Sequence, residues 1–140
     1  MSYLLDTNAI SEWVKPRPDP GIILWLDEVD EDRTYLSVIT LGELRKCIDR
    51  LPGGRRRDRL DRWLEGELRE RFADRLLPVD VAAANEWGRL LAGAEKAGTA
   101  LGGIAALIAA TAIVHDLQVV TRNVGHFRPA GVDVICPWQE

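Results

Sequence analysis

Three polar side chains that could hold a metal ion each come shortly after a β-rich segment, at widely separated points of the chain. They are Asp6, Glu43 and Asn123. Carboxylate and amide oxygens suit Mg²⁺ or Mn²⁺, which are hard ions that keep several water ligands. Carboxylates clustered around such ions commonly serve phosphodiester hydrolysis, because the ions activate water and neutralise charge on the phosphate. Taken singly, Asp6 could be a helix cap and Glu43 a favourable charge in the first turn of a helix.

Short β-rich segments alternate with helical patterns along the chain. Strands are expected over 3–5, 34–38, 76–79, 118–121 and 132–135. This alternation predicts an α/β fold, with a central parallel sheet of about five strands flanked by helices on both faces. The carboxyl ends of parallel strands meet at one edge of a sheet, so the three polar side chains should come together there.

Capping residues and apolar spacing mark several helices. Ser37 or Thr40 should begin the helix that carries Glu43, and Asp80 should begin a later one. The segment 104–115 is almost wholly small or apolar, which predicts a helix buried on most sides.

Composition narrows the class of protein. The chain has 140 residues, of which 46% are apolar and 29% charged, so residues 1–140 are expected to form a single soluble domain. A net charge of −4 argues against a bulk electrostatic nucleic-acid binder, though not against an enzyme with a local site. The two cysteines form no CxxC motif or Cys/His cluster, which favours a reducing cytoplasm. No signal peptide or membrane span is expected.

Two surface features leave alternatives open. The arginine cluster 55–57 lies among acidic residues, which indicates an exposed, salt-bridged helix, although the cluster could also contact phosphate. The early helices carry apolar side chains that could form either a partner-binding groove or ordinary core. These side chains are Trp13, Val14, Ile22, Ile23, Trp25 and Leu26.

Four segments together resemble the PIN-domain ribonucleases, specifically VapC- or FitB-type toxins of prokaryotic toxin–antitoxin pairs. They are residues 4–8, 37–44, 107–112 and 120–123, and their order and spacing match the family over essentially the whole chain. The resemblance implies a PIN fold and a metal-dependent endoribonuclease that uses Mg²⁺ or Mn²⁺. It also implies an RNA substrate, a cognate antitoxin that blocks the site, and a toxin homodimer within a toxin–antitoxin hetero-oligomer.

The resemblance also implies site residues. Asp6 and Glu43 match the first two metal-binding acids of the family, and Asn123 matches the polar residue after the fourth strand. These three form the predicted catalytic set. The residues expected to line the cleft are Thr7, Asn8, Thr121 and His126. Many relatives carry Asp at the last position, where a histidine could orient water, bind phosphate or be an ordinary loop residue.

The third acid of the family is absent. Its position, two residues before Leu107, is occupied by Ala105, and the segment 99–115 contains no acid. Asp116 lies ~16 Å further along the helix and cannot substitute. A hard ion depends on ligand charge and number, so this chain should bind metal weakly and be poorly active or inactive as a nuclease. Ala105 could be an engineered replacement of Asp or a natural feature of a degenerate member.

Other functions would use the same residues differently. A PIN-like fold without working metal chemistry could serve as a binding module that keeps its antitoxin contacts and its RNA affinity. A phospho-acceptor receiver domain would need an acidic pair after the first strand and a lysine near the last strand, which are both missing. An aspartyl phosphatase would need a second Asp two residues after Asp6, where Asn8 stands.

Overall fold

The computed structural model describes residues 1–139, and its centre is a parallel sheet with the strand order β3-β2-β1-β4-β5. The strands are β1 (Tyr3–Leu5), β2 (Thr34–Ser37), β3 (Leu76–Leu77), β4 (Gln118–Val120) and β5 (Val134–Ile135). All four strand pairings are parallel. The predicted fold class is therefore confirmed, and β1 lies at the centre of the sheet.

In the described part of the chain, eight helices connect and flank these strands. They are α1 (Thr7–Ser11), α2 (Pro20–Glu28), α3 (Val38–Asp49), α4 (Arg55–Arg62), α5 (Arg69–Arg71), α6 (Val81–Ala97), α7 (Gly103–Val114) and α8 (Val124–Phe127). Short 3₁₀ turns cover Glu12–Val14, Glu31–Arg33 and Arg128–Ala130, and a π-helical segment, Trp63–Leu68, joins α4 to α5.

The sheet separates two hydrophobic cores, because successive side chains of a strand point to opposite faces. Leu5 and Val120 pack with α1 to α4 on one face. Leu4 and Val119 pack with α7 and α8 on the other face, where α6 contributes Leu90. The middle of α7 is buried, as its composition predicts, whereas Ile104 at its start and Ile113 and Val114 at its end are exposed.

The structure corrects several predicted boundaries. The edge strands β3 and β5 contain only two residues each, and Pro78 directly follows β3. Ser37, rather than Thr40, caps α3, since its Oγ accepts from the amide of Ile39 at 3.0 Å. Glu43 therefore lies in the second turn of α3 and not in the first. The cap at Asp80 is confirmed, and its side chain accepts from the amide of Ala83.

The structure shows where the apolar side chains of the early helices and the charged side chains around residues 55–57 lie. Ile22 and Leu26 pack in the core, and neither lines the groove beside α4. Trp13 and Val14 are half-buried and line an open groove beside α4. The mixed charges of this region do form ion pairs, with Arg45 at their centre.

Two further expectations concern the chain as a whole. Cys47 and Cys136 are both free and exposed, as expected of a protein without a disulfide framework. Within residues 1–139, no helix is both long enough and apolar enough to cross a membrane.

Candidate active site

The first acid, Asp6, lies where β1 ends and α1 begins. Its amide donates to the carbonyl of Val120 at 3.0 Å, which extends the pairing of β1 with β4 by one residue. Its side chain caps α1, because Oδ1 accepts from the amide of Thr7 at 2.9 Å. Oδ2 accepts from the hydroxyl of Thr121 at 2.8 Å. Asp6 is therefore a helix cap as well as a candidate ligand, and the two roles do not exclude each other.

Glu43 reaches the same place from α3. Its Oε1 accepts from the hydroxyl of Thr7 at 2.6 Å. Thr7 thus contacts both acids, with its backbone amide on Asp6 and its hydroxyl on Glu43. The two carboxylates come together because the strand that precedes each helix ends at the same edge of the sheet.

An open cavity of about 770 Å³ lies in front of the two acids. Its walls include the two acids and three other residues named from the sequence, namely Ala105, Asn123 and His126. The sequence patterns did not single out the remaining lining residues, which are Ala100, Gly102, Gly103, Ile104, Ile108, Gly125 and Phe127. The sequence signal for two of these residues is the Gly102-Gly103 pair at the start of α7, where no side chain covers the backbone.

Ala105 is the third residue of α7 and is half-buried in the cavity wall. An acidic side chain is favourable in the first turn of a helix, because the free N–H groups there carry partial positive charge. In α7 that turn contains no acid, and the cap residue Gly102 has no side chain that could accept from the free N–H groups. An aspartate at this position would enter the cavity wall that also holds Asp6 and Glu43.

Three residues predicted to line the cleft lie one layer behind it. Thr7 joins the two acids through its amide and its hydroxyl. Thr121 is fully buried and donates to Asp6, and Asn8 donates to Thr121 at 3.2 Å. Their polar groups turn inward because each finds a hydrogen-bond partner there, which a buried polar group requires. His126, by contrast, is exposed at the cavity rim.

Burial raises the pKa of Asp6 above its ordinary value, since water is largely excluded from the carboxylate. The hydrogen bonds from Thr121 and Thr7, and then the field of His126, oppose this shift without cancelling it. Asp6 is 8% exposed, yet no lysine or arginine of the described chain forms an ion pair with it. A buried carboxylate without a paired cation is an unsatisfied site for positive charge.

The donor set of the cavity suits a divalent ion in kind but not in number. Two carboxylates in one cavity fit Mg²⁺ or Mn²⁺ in kind, because such ions bind through one or two carboxylates and retain water. They fall short in number, since residues 1–139 hold no group of three His, Cys, Asp or Glu side chains placed to share an ion. The described cavity therefore offers two carboxylates of the kind that such an ion binds and lacks a third.

Comparison with known proteins decides the family. A family model described as the PIN domain matches residues 3–132. The chain belongs to the PIN-domain family. The PIN chain is 40% identical over 136 residues to the VapC ribonuclease Y4jK of Sinorhizobium fredii, covering 97% of each protein. It is 38% identical over 137 residues to the toxin FitB of Neisseria gonorrhoeae, covering 98% of this chain and 99% of that protein.

The fold comparison agrees. The crystal structure of FitAcB from Neisseria gonorrhoeae matches this PIN chain with a TM-score of 0.93 and 38% identity, covering 99% of each chain. Other structural neighbours are solved complexes of VapBC toxin–antitoxin systems. The chain is thus a PIN protein of the VapC/FitB toxin type.

Proposed function

We propose that this chain is the toxin of a type II toxin–antitoxin pair and has the active site of a metal-dependent endoribonuclease, disabled by Ala105. The observation that supports this most strongly is the shared cavity of Asp6, Glu43 and Ala105. Asp6 and Glu43 contribute carboxylates to its lining, and Ala105 contributes a methyl group at the position where the resemblance to the family implies a third acid. The ribonuclease name of a relative that is 40% identical supports the reaction class.

The residues of the cavity suggest separate roles. Asp6 and Glu43 would hold a Mg²⁺ or Mn²⁺ ion, which when bound would activate water and neutralise charge on the scissile phosphate. Asn123 and His126 stand exposed at the rim, where they can contact the RNA backbone. Thr7 and Thr121 hold the two acids in place through hydrogen bonds.

Ala105 should make the site ineffective. Without a third carboxylate, a hard ion loses both charge and one ligand, and its affinity falls strongly. The chain as given is therefore expected to be poorly active or inactive as a nuclease. Its folded cavity would remain, because alanine is well tolerated in a helix.

The test is an RNA cleavage assay on the Ala105→Asp variant beside the unchanged chain, with structured RNAs and either Mg²⁺, Mn²⁺ or EDTA. We expect the variant to cleave at least about 100-fold faster, as for restoring a group that stabilises the transition state, and EDTA to stop it. The matched control is Ala105→Asn, which has the same size without the charge and should stay inactive. Equal cleavage by the unchanged chain would show that position 105 is not the missing ligand.

Inactivity of both proteins on every RNA would favour the alternative function, a binding module that retains its partner contacts.

A groove on the surface supports a protein partner for both functions. Trp13, Val14, Leu60 and Trp63 line a groove whose rim carries Arg59 and other arginines. One relative of this chain is named the toxin FitB, and structural neighbours include a member of the VapBC family of toxin–antitoxin systems.

We therefore propose that a cognate antitoxin occupies this groove and places a basic side chain against the acid pair. A homodimer within a larger toxin–antitoxin assembly, in the reducing cytoplasm, completes the proposal, with residues 1–140 as one PIN domain. Co-expression with the antitoxin should yield a stable complex, and Val14→Asp should abolish it while the toxin, destabilised because Val14 packs against the core, remains folded at the assay temperature. A complex unaffected by Val14→Asp would place the partner elsewhere.

A further inference from the structure

The loops that follow β1 and β4 are joined by hydrogen bonds that converge on one buried hydroxyl. The Oγ1 atom of Thr121 lies 3.2 Å from Nδ2 of Asn8, 3.0 Å from the amide nitrogen of Asn123 and 2.8 Å from Oδ2 of Asp6. Thr121 is fully buried, so water cannot supply further partners. The hydrogen-bond directions in this cluster are therefore set by the protein alone.

The valence of a hydroxyl fixes those directions. A threonine hydroxyl donates one hydrogen bond and accepts two. Nδ2 of Asn8 and the amide of Asn123 can only donate, so together they occupy both lone pairs of Thr121 Oγ1. The single proton of the hydroxyl must then point to Asp6, which can only accept when it is ionised.

The orientation of the Asn8 amide is fixed as well. Its Oδ1 accepts from the backbone amide of Arg122 at 3.2 Å, which leaves Nδ2 to face Thr121. A flipped amide would place a donor against the Arg122 amide and lose that bond, and it would place an acceptor against Thr121 that competes with Asp6 for the hydroxyl proton. Asn8 therefore connects the loop after β4, through the amide of Arg122, to the Thr121 hydroxyl that donates to Asp6.

We propose that Asn8 is a positioning residue for Asp6, acting through Thr121. By filling one lone pair of the hydroxyl, Asn8 commits the hydroxyl proton to Oδ2 of Asp6, while Thr7 holds Oδ1. Asp6 is then held in one orientation, with its remaining lone pairs available to the cavity. The expected consequence is a higher affinity of Asp6 for a divalent ion, and this consequence rests on the proposed function. Partners of this kind commonly change metal affinity by about 10–100-fold.

Asn8 could act on Asp6 through the Thr121 hydroxyl, or it could only join the two loops and stabilise the fold. In the second case its removal would lower stability independently of Thr121. A double-mutant cycle of Asn8 and Thr121 distinguishes these two roles. The cycle is made in the Ala105→Asp protein with Asn8→Ala and Thr121→Val, and the Kd for Mn²⁺ is measured by calorimetry. We expect each substitution to weaken Mn²⁺ binding about tenfold and the double variant to bind no more weakly than Thr121→Val alone. Thr121→Ser should restore binding, because it keeps the hydroxyl.

The control is Asn85→Ala, which removes an exposed asparagine of α6 and should leave the Kd unchanged. Additive losses in the double variant, or an unchanged Kd for Asn8→Ala, would overturn the positioning role. These results do not depend on whether the protein cleaves RNA, so the proposed function and this inference can fail separately.

A metal-free measurement on the unchanged chain covers the case in which Ala105→Asp binds no Mn²⁺. That result would contradict the proposed function, and Asn8 would then be judged by NMR exchange of the Thr121 hydroxyl proton with water. We expect Asn8→Ala to accelerate this exchange about tenfold, in proportion to one lost hydrogen bond, and Asn85→Ala to leave it unchanged. Equal exchange rates in the unchanged chain and the Asn8→Ala variant would overturn the inference.

Discussion

The first fourteen residues contain two buried carboxylates that the fold treats in opposite ways. Glu12, which begins a 3₁₀ turn, is 1% exposed and accepts hydrogen bonds from three separate segments. Its donors are the Lys15 ammonium at 2.7 Å, the amide of Asp19 at 2.9 Å and the indole N–H of Trp138 at 3.1 Å. Burial raises the pKa of Glu12, but these donors outweigh burial, and the pKa falls below its ordinary value.

Asp6, six residues earlier, has fewer donors and no paired cation among the described residues. Burial therefore dominates, and its pKa is raised. Glu12 accepts three hydrogen bonds and holds the C-terminal segment through Trp138. Asp6 accepts two and keeps free acceptor lone pairs beside a cavity. This is the difference expected between a structural acid and the proposed metal-binding acid, since perturbed groups with unused hydrogen-bonding capacity cluster at functional sites.

The largest effect in this comparison is expected for Glu12→Gln. An amide can replace only one of the two acceptor oxygens, so a buried donor loses its partner, and the free energy of unfolding at pH 7 should fall by about 1–3 kcal/mol. Because the folded pKa of Glu12 lies below its unfolded value of 4.5, its contribution is present above that pH and is lost as the pH falls through the folded pKa.

Urea unfolding across this pH range measures the loss. The stability gap between the parent and Glu12→Gln should narrow on acidification below pH 4.5. Glu28→Gln is the matched control, since Glu28 is exposed at the end of α2 and should show little effect. A gap that stays constant with pH would mean that the charge of Glu12 is not what its three donors stabilise.

Asp6→Asn should show the opposite pH dependence, with a smaller effect. The folded pKa of Asp6 is raised, so its favourable contribution exists below the unfolded value of 3.8 and is lost as the pH rises through the folded pKa. The free energy of unfolding of Asp6→Asn, relative to the parent, should therefore increase from about pH 3 to pH 7. Urea unfolding at several pH values gives this slope, and a slope of the other sign would show that the donors on Asp6 outweigh its burial.

The smallest effect is expected for the exposed charge cluster. Arg45 lies within 3.1 Å of the carboxylates of Asp49, Asp61 and Glu65, which raise its pKa further. Exposed ion pairs of this kind contribute at most about 1 kcal/mol, because water and salt screen them. Thermal unfolding of Arg45→Ala should show a small loss of stability that disappears in about 1 M NaCl. A loss that persists in high salt would indicate packing by the arginine stem instead.

The arrangement of the acids was predictable because it depends on topology. Strands that alternate with helices form a parallel sheet, and the residues just after each strand gather at its carboxyl edge, which brings Asp6, Glu43 and Asn123 together. The two-residue lengths of β3 and β5 were not predictable, because an apolar pattern does not show where pairing stops.

The roles of individual polar groups depended on contacts that spacing cannot reveal. Asn8 and Thr121 were expected in the cleft, but each finds its partner behind the acids, 113 residues apart in the chain. The Glu12 cluster was missed entirely, since Trp138 lies 126 residues from its partner. Such side-chain hydrogen bonds depend on tertiary packing, which the sequence pattern of one chain does not specify.

The proposed function requires that Ala105 occupy the place of a third ligand beside Asp6 and Glu43. Calorimetric titration of Mn²⁺ into the unchanged chain and into Ala105→Asp tests it most directly, with Ala105→Asn as the control. We expect Ala105→Asp to bind at least about tenfold more tightly than the other two proteins, because a hard ion responds to ligand charge. Equal affinities for all three proteins would contradict the claim and would leave the acid pair as a binding site for a partner's basic side chain.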